Sequence, residues 1–222
     1  MEIIPFKSER GCLSYLLVDE ITREAALIDP SVEVAEEEYL STIKDNGLTL
    51  LYVIETHTHA DHTSSTPEIQ KATQAKLIRH ALAPSPKKDI PVSGGEVFEL
   101  GGTSLEIIAT PGHTNESISV YADGAVFTGD ALLIGGTGRT DFQLGDSKDL
   151  YASLHDELTQ LPDDTEVYPS HDYKGRVASS IEVEKDTNPR LALSREDFIK
   201  TLDAHHPELP ELFEESIEAN SK

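Results

Sequence analysis

Several residue types are scarce in this chain of 222 residues, and each scarcity excludes a class of protein. Cys12 is the only cysteine, so no disulfide can form within the chain and an oxidising compartment is not indicated. The apolar runs, Leu50–Ile54 and Ala131–Ile134 among them, fall far below the ~20 residues that span a bilayer. The stretch Met1–Pro5 begins acidic and does not resemble a signal peptide. We therefore expect a soluble, cytoplasmic protein.

Basic residues are also few, with 18 Lys and Arg against 41 Asp and Glu and a net charge of −23. Such a surface repels nucleic acid and anionic membranes, so neither is an expected partner. Residues 1–222 are expected to form one domain, with residues 176–222 as a short helical C-terminal extension. Only Arg10 is a basic neighbour of Cys12 in the sequence, which favours a small buried apolar role for this thiol.

Short apolar runs alternate with turn residues and with segments of helical periodicity. The predicted strands are Leu13–Val18, Ala25–Ile28, Leu48–Glu55, Ala75–Arg79, Val97–Leu100, Thr103–Ala109, Ser117–Ala122 and Ala125–Thr128. The predicted helices lie between Val32 and Gly47 and over Pro67–Thr73, Lys148–Thr159, Ala178–Asp186 and Ser194–Asp203. Strands interrupted by helices, with reactive residues at strand ends, predict an α/β fold in which two sheets lie between helical layers.

The strand that ends near Ile54 leads directly into a cluster of metal-ligand residue types. The cluster contains His57, His59, Asp61 and His62. Imidazole nitrogens and carboxylate oxygens are ligands that zinc, iron and manganese share, and the alternating spacing suits a loop. The sequence therefore predicts a metal site at the end of this strand.

Three later segments follow the same pattern, in which a polar ligand type comes directly after an apolar strand. They present His113 after Pro111-Gly112, Asp130 after Gly129, and His171 after Pro169-Ser170. The other histidines, His80, His155, His205 and His206, lack this context, and we interpret them as surface or helix residues. Each segment alone is a weak signal, whereas the three together with the histidine loop are a strong one.

These seven residues resemble the complete ligand set of a dinuclear site in the metallo-β-lactamase superfamily. The resemblance extends along most of the chain, and it implies an αββα sandwich with two mixed sheets between helical layers. The metal site of such a sandwich lies at one edge of the two sheets.

A finer resemblance is to the persulfide dioxygenases, also called sulfur dioxygenases. The segments that carry it are Glu55–His62, Thr128–Ile134, Gly138–Gln143, His171–Tyr173 and Asn188–Leu191, and the match runs to about residue 203. The related glyoxalase II enzymes have a longer helical C-terminal domain that binds a glutathione thioester. We expect this chain to be too short for all of that domain.

The family resemblance implies one Fe(II) per chain, held by His57, His113 and Asp130. This triad leaves coordination positions open for a persulfide sulfur and for O₂. His59, Asp61, His62 and His171 are then expected to orient water and ligands around the metal. The implied reaction converts glutathione persulfide and O₂ to glutathione and sulfite.

Glutathione persulfide is anionic, so a local cationic region is needed in this acidic protein. Arg139, Lys174 and Arg176 flank the ligand segments, and we expect Arg139 to bind substrate. Tyr173 is expected to donate a hydrogen bond in the site, with simple packing as the alternative.

Two other functions use the same residues. A hydrolase of the glyoxalase II type would bind two zinc ions, or mixed metals, through all seven ligands and attack a glutathione thioester. A binding module would retain metal without turnover. The family resemblance also admits a homodimer.

Overall fold

Two six-stranded sheets form the centre of the computed structural model, which describes residues 1–222. The first sheet contains β1 (Glu2–Lys7), β2 (Leu13–Val18), β3 (Glu24–Ile28), β4 (Thr49–Ile54), β5 (Lys76–His80) and β6 (Ile90–Val92), in that spatial order. Strands β1 to β3 are antiparallel, and β3 to β6 are parallel. The carboxyl ends of β3, β4 and β5 therefore meet at one edge.

The second sheet is built mainly from two hairpins. Its strands are β7 (Val97–Leu100), β8 (Thr103–Ala109), β9 (Ile118–Ala122), β10 (Ala125–Gly129), β13 (Glu166–Pro169) and β14 (Ser179–Ser180). Their spatial order is β14-β13-β10-β9-β8-β7, with β10 and β13 parallel. A separate two-stranded ribbon, β11 (Leu132–Leu133) and β12 (Gly136–Thr137), follows β10. The turns at Gly101-Gly102 and Asp123-Gly124 confirm both predicted hairpins.

Helices cover the outer face of each sheet. The helices are α1 (Glu36–Asp45), α2 (Thr66–Thr73), α3 (Ser147–Ala152), α4 (Ile181–Thr187), α5 (Arg195–Asp203) and α6 (Phe213–Asn220). One apolar cluster lies between the sheets, a second lies between the first sheet and α1 and α2, and a third lies between the second sheet and α3 to α5. This arrangement confirms the predicted αββα sandwich of two mixed sheets.

Strand β2 shows how the sequence produces these layers. Leu13, Tyr15 and Leu17 point into the cluster between the sheets, while Leu16 and Val18 join the cluster beneath α1 and α2. Successive side chains of a strand face opposite sides, so a strand that is apolar on both faces must be covered on both.

Two predicted helices differ in detail. The segment predicted as Lys148–Thr159 is regular only through Ala152 and continues as a π turn and a short 3-10 turn, which keep Leu154 and Leu158 fully buried. The helix predicted at Ala178 begins at Ile181, because Ser179 and Ser180 pair with β13 first. The Ser180 hydroxyl then accepts the backbone N–H of Val183 as an N-cap. None of the helices has the length and apolar character needed to cross a membrane.

Candidate metal centre

The predicted ligand segments converge at one edge of the two sheets. The histidine loop follows β4, His113 follows β8, Asp130 follows β10 and His171 follows β13. Ligand atoms of His57, His113 and Asp130 all lie within 4.8 Å of one another. The fold thus brings together three residues of which the outer two, His57 and Asp130, are 73 positions apart in the sequence.

Each triad histidine is oriented through its Nδ1 atom. His57 Nδ1 lies 2.9 Å from the Thr56 hydroxyl, and His113 Nδ1 donates to the Arg139 carbonyl at 2.7 Å. The Nε2 atoms are left for a metal, and Nε2 of His113 lies 3.7 Å from Asp130 Oδ2. Metal-bound histidines commonly use the second ring nitrogen in this way. The donor set of two imidazoles and one carboxylate fits a divalent transition metal.

The turn that presents Asp130 requires glycine at position 129. Gly129 has φ +54°, and a Cβ there would lie 2.6 Å from the Thr56 hydroxyl oxygen. Glycine is the residue that adopts this conformation at little cost and allows so close an approach. The turn is therefore tied in space to Thr56, which neighbours His57.

The other four predicted residues are engaged with one another or with buried carboxylates. His171 lies between two carboxylates, with Nδ1 2.7 Å from Asp130 Oδ1 and Nε2 2.7 Å from Asp61 Oδ2. His62 Nδ1 lies 3.2 Å from Asp61 Oδ2. His59 Nε2 lies 3.3 Å from Asp29 Oδ1, too poorly aligned for a hydrogen bond. A carboxylate and histidine chain therefore runs from the triad toward Cys12.

The charge states of the histidines follow from these contacts. Burial lowers the pKa of His57 well below its usual value, and the neighbouring His59 and His113 lower it further. Burial also opposes protonation of His171, but Asp130 and Asp61 raise its pKa well above the usual value. His57 is thus held neutral, the form that binds metal, whereas His171 is held as a cation.

The carboxylates respond in the opposite sense. Burial raises the pKa of Asp130 and of Asp61, yet His171 beside them holds both values well below the usual range. Asp130 is therefore ionised, the form in which a carboxylate binds metal.

Asp29 anchors the loop from behind. It accepts the Thr56 backbone N–H at 2.8 Å, the Thr56 hydroxyl at 2.6 Å and the Ser170 hydroxyl at 2.5 Å. It is 2% exposed and follows β3, so it joins the ends of β4 and β13. Its role was not predicted. The signal in the sequence is Asp29-Pro30 directly after an apolar strand, the pattern that identified the other site residues.

A cavity of about 470 Å³ opens onto His113, Asp130 and His171. Arg139 and Tyr173 line it, as do Arg10, Arg190, Glu33 and Glu211. Tyr173 is 77% exposed, and its ring lies parallel to that of His171 at 6.1 Å. Arg139 is already bound to both Asp141 oxygens at 2.6 Å and to the carbonyls of Pro207 and Glu208 at 2.8 Å.

Arg190 is a cation in the cavity wall that was not predicted from the sequence. No acidic group or hydrogen-bond acceptor of the protein contacts its guanidinium, in contrast to Arg10, which lies 3.4 Å from Glu33 and 3.3 Å from Glu211. Arg176, one of the other cations expected near the site, instead pairs with Asp172 at 2.6 Å. Arg190 lies in the segment Asn188–Leu191, which carries part of the family resemblance. Its position in that segment was the signal in the sequence that could have identified it as a substrate-binding cation.

The burial expected of Cys12 is confirmed, and the interpretation of His80 is corrected. Cys12 is buried, as expected, but it is not isolated from histidines, since its sulfur lies 3.7 Å from His62 Nδ1. The backbones of Cys12 and His171 form an isolated antiparallel β-bridge, which places the thiol beside the centre although the two residues are far apart in the sequence. His80 is a buried strand residue, not a surface or helix residue, and its Nδ1 accepts the backbone N–H of Leu82.

Comparison with known proteins agrees with this geometry. The metallo-beta-lactamase superfamily model matches residues 8–171. The mouse protein named mitochondrial persulfide dioxygenase ETHE1 (Mus musculus) is 39% identical over 222 residues, covering 98% of this chain and 86% of the relative. This chain belongs to the persulfide dioxygenase family of the metallo-β-lactamase superfamily.

Structural comparison supports the same family. The crystal structure of ETHE1 from Myxococcus xanthus has a TM-score of 0.95 and 40% identity, covering 100% of this chain and 98% of that one. A hydroxyacylglutathione hydrolase of Nitrosococcus oceani is more distant, at 32% identity over 87% of this chain and 74% of the relative. As a persulfide dioxygenase family member, the protein is a dioxygenase-type oxidoreductase with a metal centre.

In this persulfide dioxygenase family member, the discriminating segment Gly138–Gln143 contacts the ligands directly. The Arg139 carbonyl holds His113, and Gln143 donates to the Thr58 carbonyl at 2.6 Å inside the histidine loop. The Phe142 ring meets the His113 ring edge-on at 6.0 Å. Residues far from the histidine loop therefore fix the orientation of the predicted metal ligands.

Proposed function

We propose that the protein is an Fe(II)-dependent persulfide dioxygenase that oxidises glutathione persulfide with O₂ to sulfite and glutathione. The observation that carries this proposal is the division of the seven predicted residues. His57, His113 and Asp130 form an open triad, whereas His171 has both ring nitrogens engaged by carboxylates. Cys12, Asp61, His62 and His171 form a second group of possible ligands, but both ring nitrogens of His171 already contact carboxylates, so we infer that the triad holds the single metal ion.

A triad of two histidines and one carboxylate suits non-haem Fe(II) and leaves several coordination positions open. When bound, the iron supplies adjacent positions for sulfur and O₂ and a path for electrons between them. The overall reaction is RSSH + O₂ + H₂O → RSH + SO₃²⁻ + 2 H⁺, in which the outer sulfur loses four electrons and O₂ gains four. The protein must hold the substrate sulfur beside the triad and supply charge for the rest of the molecule.

The cavity has both charges that glutathione persulfide needs. Its two carboxylates need a cation, and Arg190 has no partner within the protein. Its ammonium group needs an anion, and Glu33 and Glu211 line the same cavity. A cavity of about 470 Å³ is within the range that holds a ligand of this size.

Arg139 and Tyr173 complete the proposed substrate site. The Arg139 side chain is held against Asp141, so we propose that it shapes the cavity wall and orients His113 through its carbonyl. Tyr173 stands at the opening with an exposed ring, where its hydroxyl can donate to the substrate.

The test starts with metal content and O₂ uptake. Anaerobically purified protein should contain one iron per chain and should consume O₂ only when glutathione persulfide is added. The competing function is a zinc hydrolase, because all seven ligand types gather at one edge and a hydroxyacylglutathione hydrolase is among the relatives. Two zinc ions per chain, thioesterase activity and no O₂ uptake would overturn the proposal.

Two ligand variants separate one metal from two. We expect His113→Ala to lose iron and His171→Ala to retain iron while its turnover falls, since His113 belongs to the triad, whereas both ring nitrogens of His171 contact carboxylates. Iron per chain and O₂ uptake are measured for both. Equal loss of metal would indicate a dinuclear site.

A further inference from the structure

The last helix, α6, ends against the back of the histidine loop. Asn220 is its final residue and is only 7% exposed. Its amide nitrogen donates to the carbonyls of His59 and His62, both at 2.8 Å, and its amide oxygen accepts the Ser64 backbone N–H at 2.9 Å. Both amide hydrogens and the amide oxygen are therefore used on one loop.

These contacts lie on both sides of Asp61. A loop between two fixed carbonyls has few alternative conformations, so the Asn220 amide fixes the direction in which Asp61 leaves the backbone. Asp61 in turn lies 2.7 Å from His171, which contacts Asp130 of the triad. The helix is thus linked to the metal ligands by a short chain of hydrogen bonds.

The main chain of Asn220 is held as well. Its carbonyl accepts a long hydrogen bond from Arg79 at 3.4 Å, and Arg79 forms a buried ion pair with Glu55. Glu55 lies directly before Thr56, at the start of the loop, and accepts the Ser64 hydroxyl at 2.7 Å. One group of buried contacts therefore closes both ends of the loop against α6.

The segment before α6 contacts the other side of the centre. Carbonyls of Pro207 and Glu208 accept from Arg139, whose own carbonyl holds His113. Phe213, the first residue of α6, meets the Phe142 ring edge-on at 5.3 Å. Residues 207–220 thus support His113 at one end and the histidine loop at the other.

We propose that Asn220 is a positioning residue of the metal centre, because its side-chain amide holds the loop that carries His57 and Asp61. The inference rests on the proposed metal triad, but it does not depend on which metal is bound. Loss of the amide should leave three buried backbone groups without partners and allow the loop to change conformation.

The test compares Asn220→Ala with Ser216→Ala. Ser216 lies in the same helix, is 1% exposed and has a hydroxyl without a partner, so its variant controls for packing of α6. The dissociation constants for Co²⁺ and Fe²⁺ are measured anaerobically by chelator competition, together with the visible spectrum of the Co²⁺ protein. We expect about 10- to 100-fold weaker binding and an altered spectrum for Asn220→Ala, and wild-type values for Ser216→Ala.

Hydrogen exchange adds a readout in the metal-free protein. Peptides covering residues 57–64 should exchange faster in Asn220→Ala than in Ser216→Ala. If Asn220→Ala does not fold, Asn220→Asp replaces it, since this variant keeps the size and the acceptor but loses both donors. Wild-type metal affinity and spectrum in a folded variant overturn the inference, even if its thermal stability falls.

The outcomes also separate this inference from the proposed function. Wild-type protein that binds two zinc ions and consumes no O₂ overturns the dioxygenase, whereas a loss of affinity in Asn220→Ala would still support the positioning role. Wild-type protein without affinity for either metal overturns both.

Discussion

Gly138→Ala is expected to disable the metal centre through a single methyl group. Gly138 follows the β11–β12 ribbon, and its backbone N–H donates to the Asp130 carbonyl at 2.8 Å. A Cβ at this position would overlap the Asp130 carbonyl oxygen and would lie 2.8 Å from His113 Nδ1. Two of the three triad residues would therefore be pushed by the same atom.

Neither neighbour can yield easily. The His113 ring is held by the Arg139 carbonyl at 2.7 Å and by Phe142, and the Asp130 carbonyl belongs to a buried turn. Relief of the overlap requires a shift on the order of 1 Å, and a misplacement of that size costs about 100-fold in rate. This factor corresponds to ~2.7 kcal/mol of transition-state stabilisation.

The assay measures iron per chain, the Fe²⁺ dissociation constant and persulfide-dependent O₂ uptake for Gly138→Ala and for Gly136→Ala. Gly136 is the matched control, since a Cβ there would meet no atom within 4 Å. Circular dichroism and thermal unfolding establish that both variants fold. If folded Gly138→Ala keeps wild-type iron content and turnover, a Cβ at position 138 does not displace Asp130 and His113. That result would refute the steric argument.

Three further substitutions test the surroundings of the centre. Asp29→Ala removes the acceptor of three buried hydrogen bonds and should lower the free energy of unfolding by ~3–5 kcal/mol, as measured by urea denaturation. Arg190→Gln should raise KM for glutathione persulfide by about tenfold with little change in kcat, whereas the exposed Arg195→Gln should change neither. For Glu55, burial raises the carboxyl pKa, but Arg79 holds it below the ordinary 4.5. The difference in unfolding free energy between wild type and Glu55→Gln should therefore be largest above about pH 5 and should shrink as the pH falls through the depressed pKa. A constant difference down to about pH 3 would contradict this prediction.

The sequence predicted most strands because local pattern and tertiary burial agree in them. The limits of β2, β7 and β8 match the predicted ranges. Strand β1 was not predicted, since Pro5 and flanking charges weaken its pattern, and it lies at the edge of the first sheet, where proline is tolerated. Helix α6 lies within the helical extension expected over residues 176–222, but its bounds were not predicted, because its many acidic residues are typical of a solvated tail.

The candidate site was predicted as a set of ligand types, but its supporting contacts were not. Ligand spacing within Glu55–His62 is visible in one sequence. The contacts of Asp29 with Ser170 and of Asn220 with His59 join residues more than 140 positions apart, and no local pattern reports them. The contact between Cys12 and His62 is likewise a long-range contact that no local sequence pattern reports.

The proposed roles of the seven candidate ligands follow from the hydrogen-bond partners of their ring nitrogens and carboxylate oxygens, not from their spacing in the sequence. His57 and His113 are each held through Nδ1 by an oxygen, of Thr56 and Arg139 respectively, which leaves Nε2 available. His171 has carboxylates on both nitrogens, so it is a cation and a poor ligand. These contacts favour the proposed division, with metal binding by His57 and His113 and charge balance by His171, and substitutions of these partners should test for a change between one-metal and two-metal chemistry.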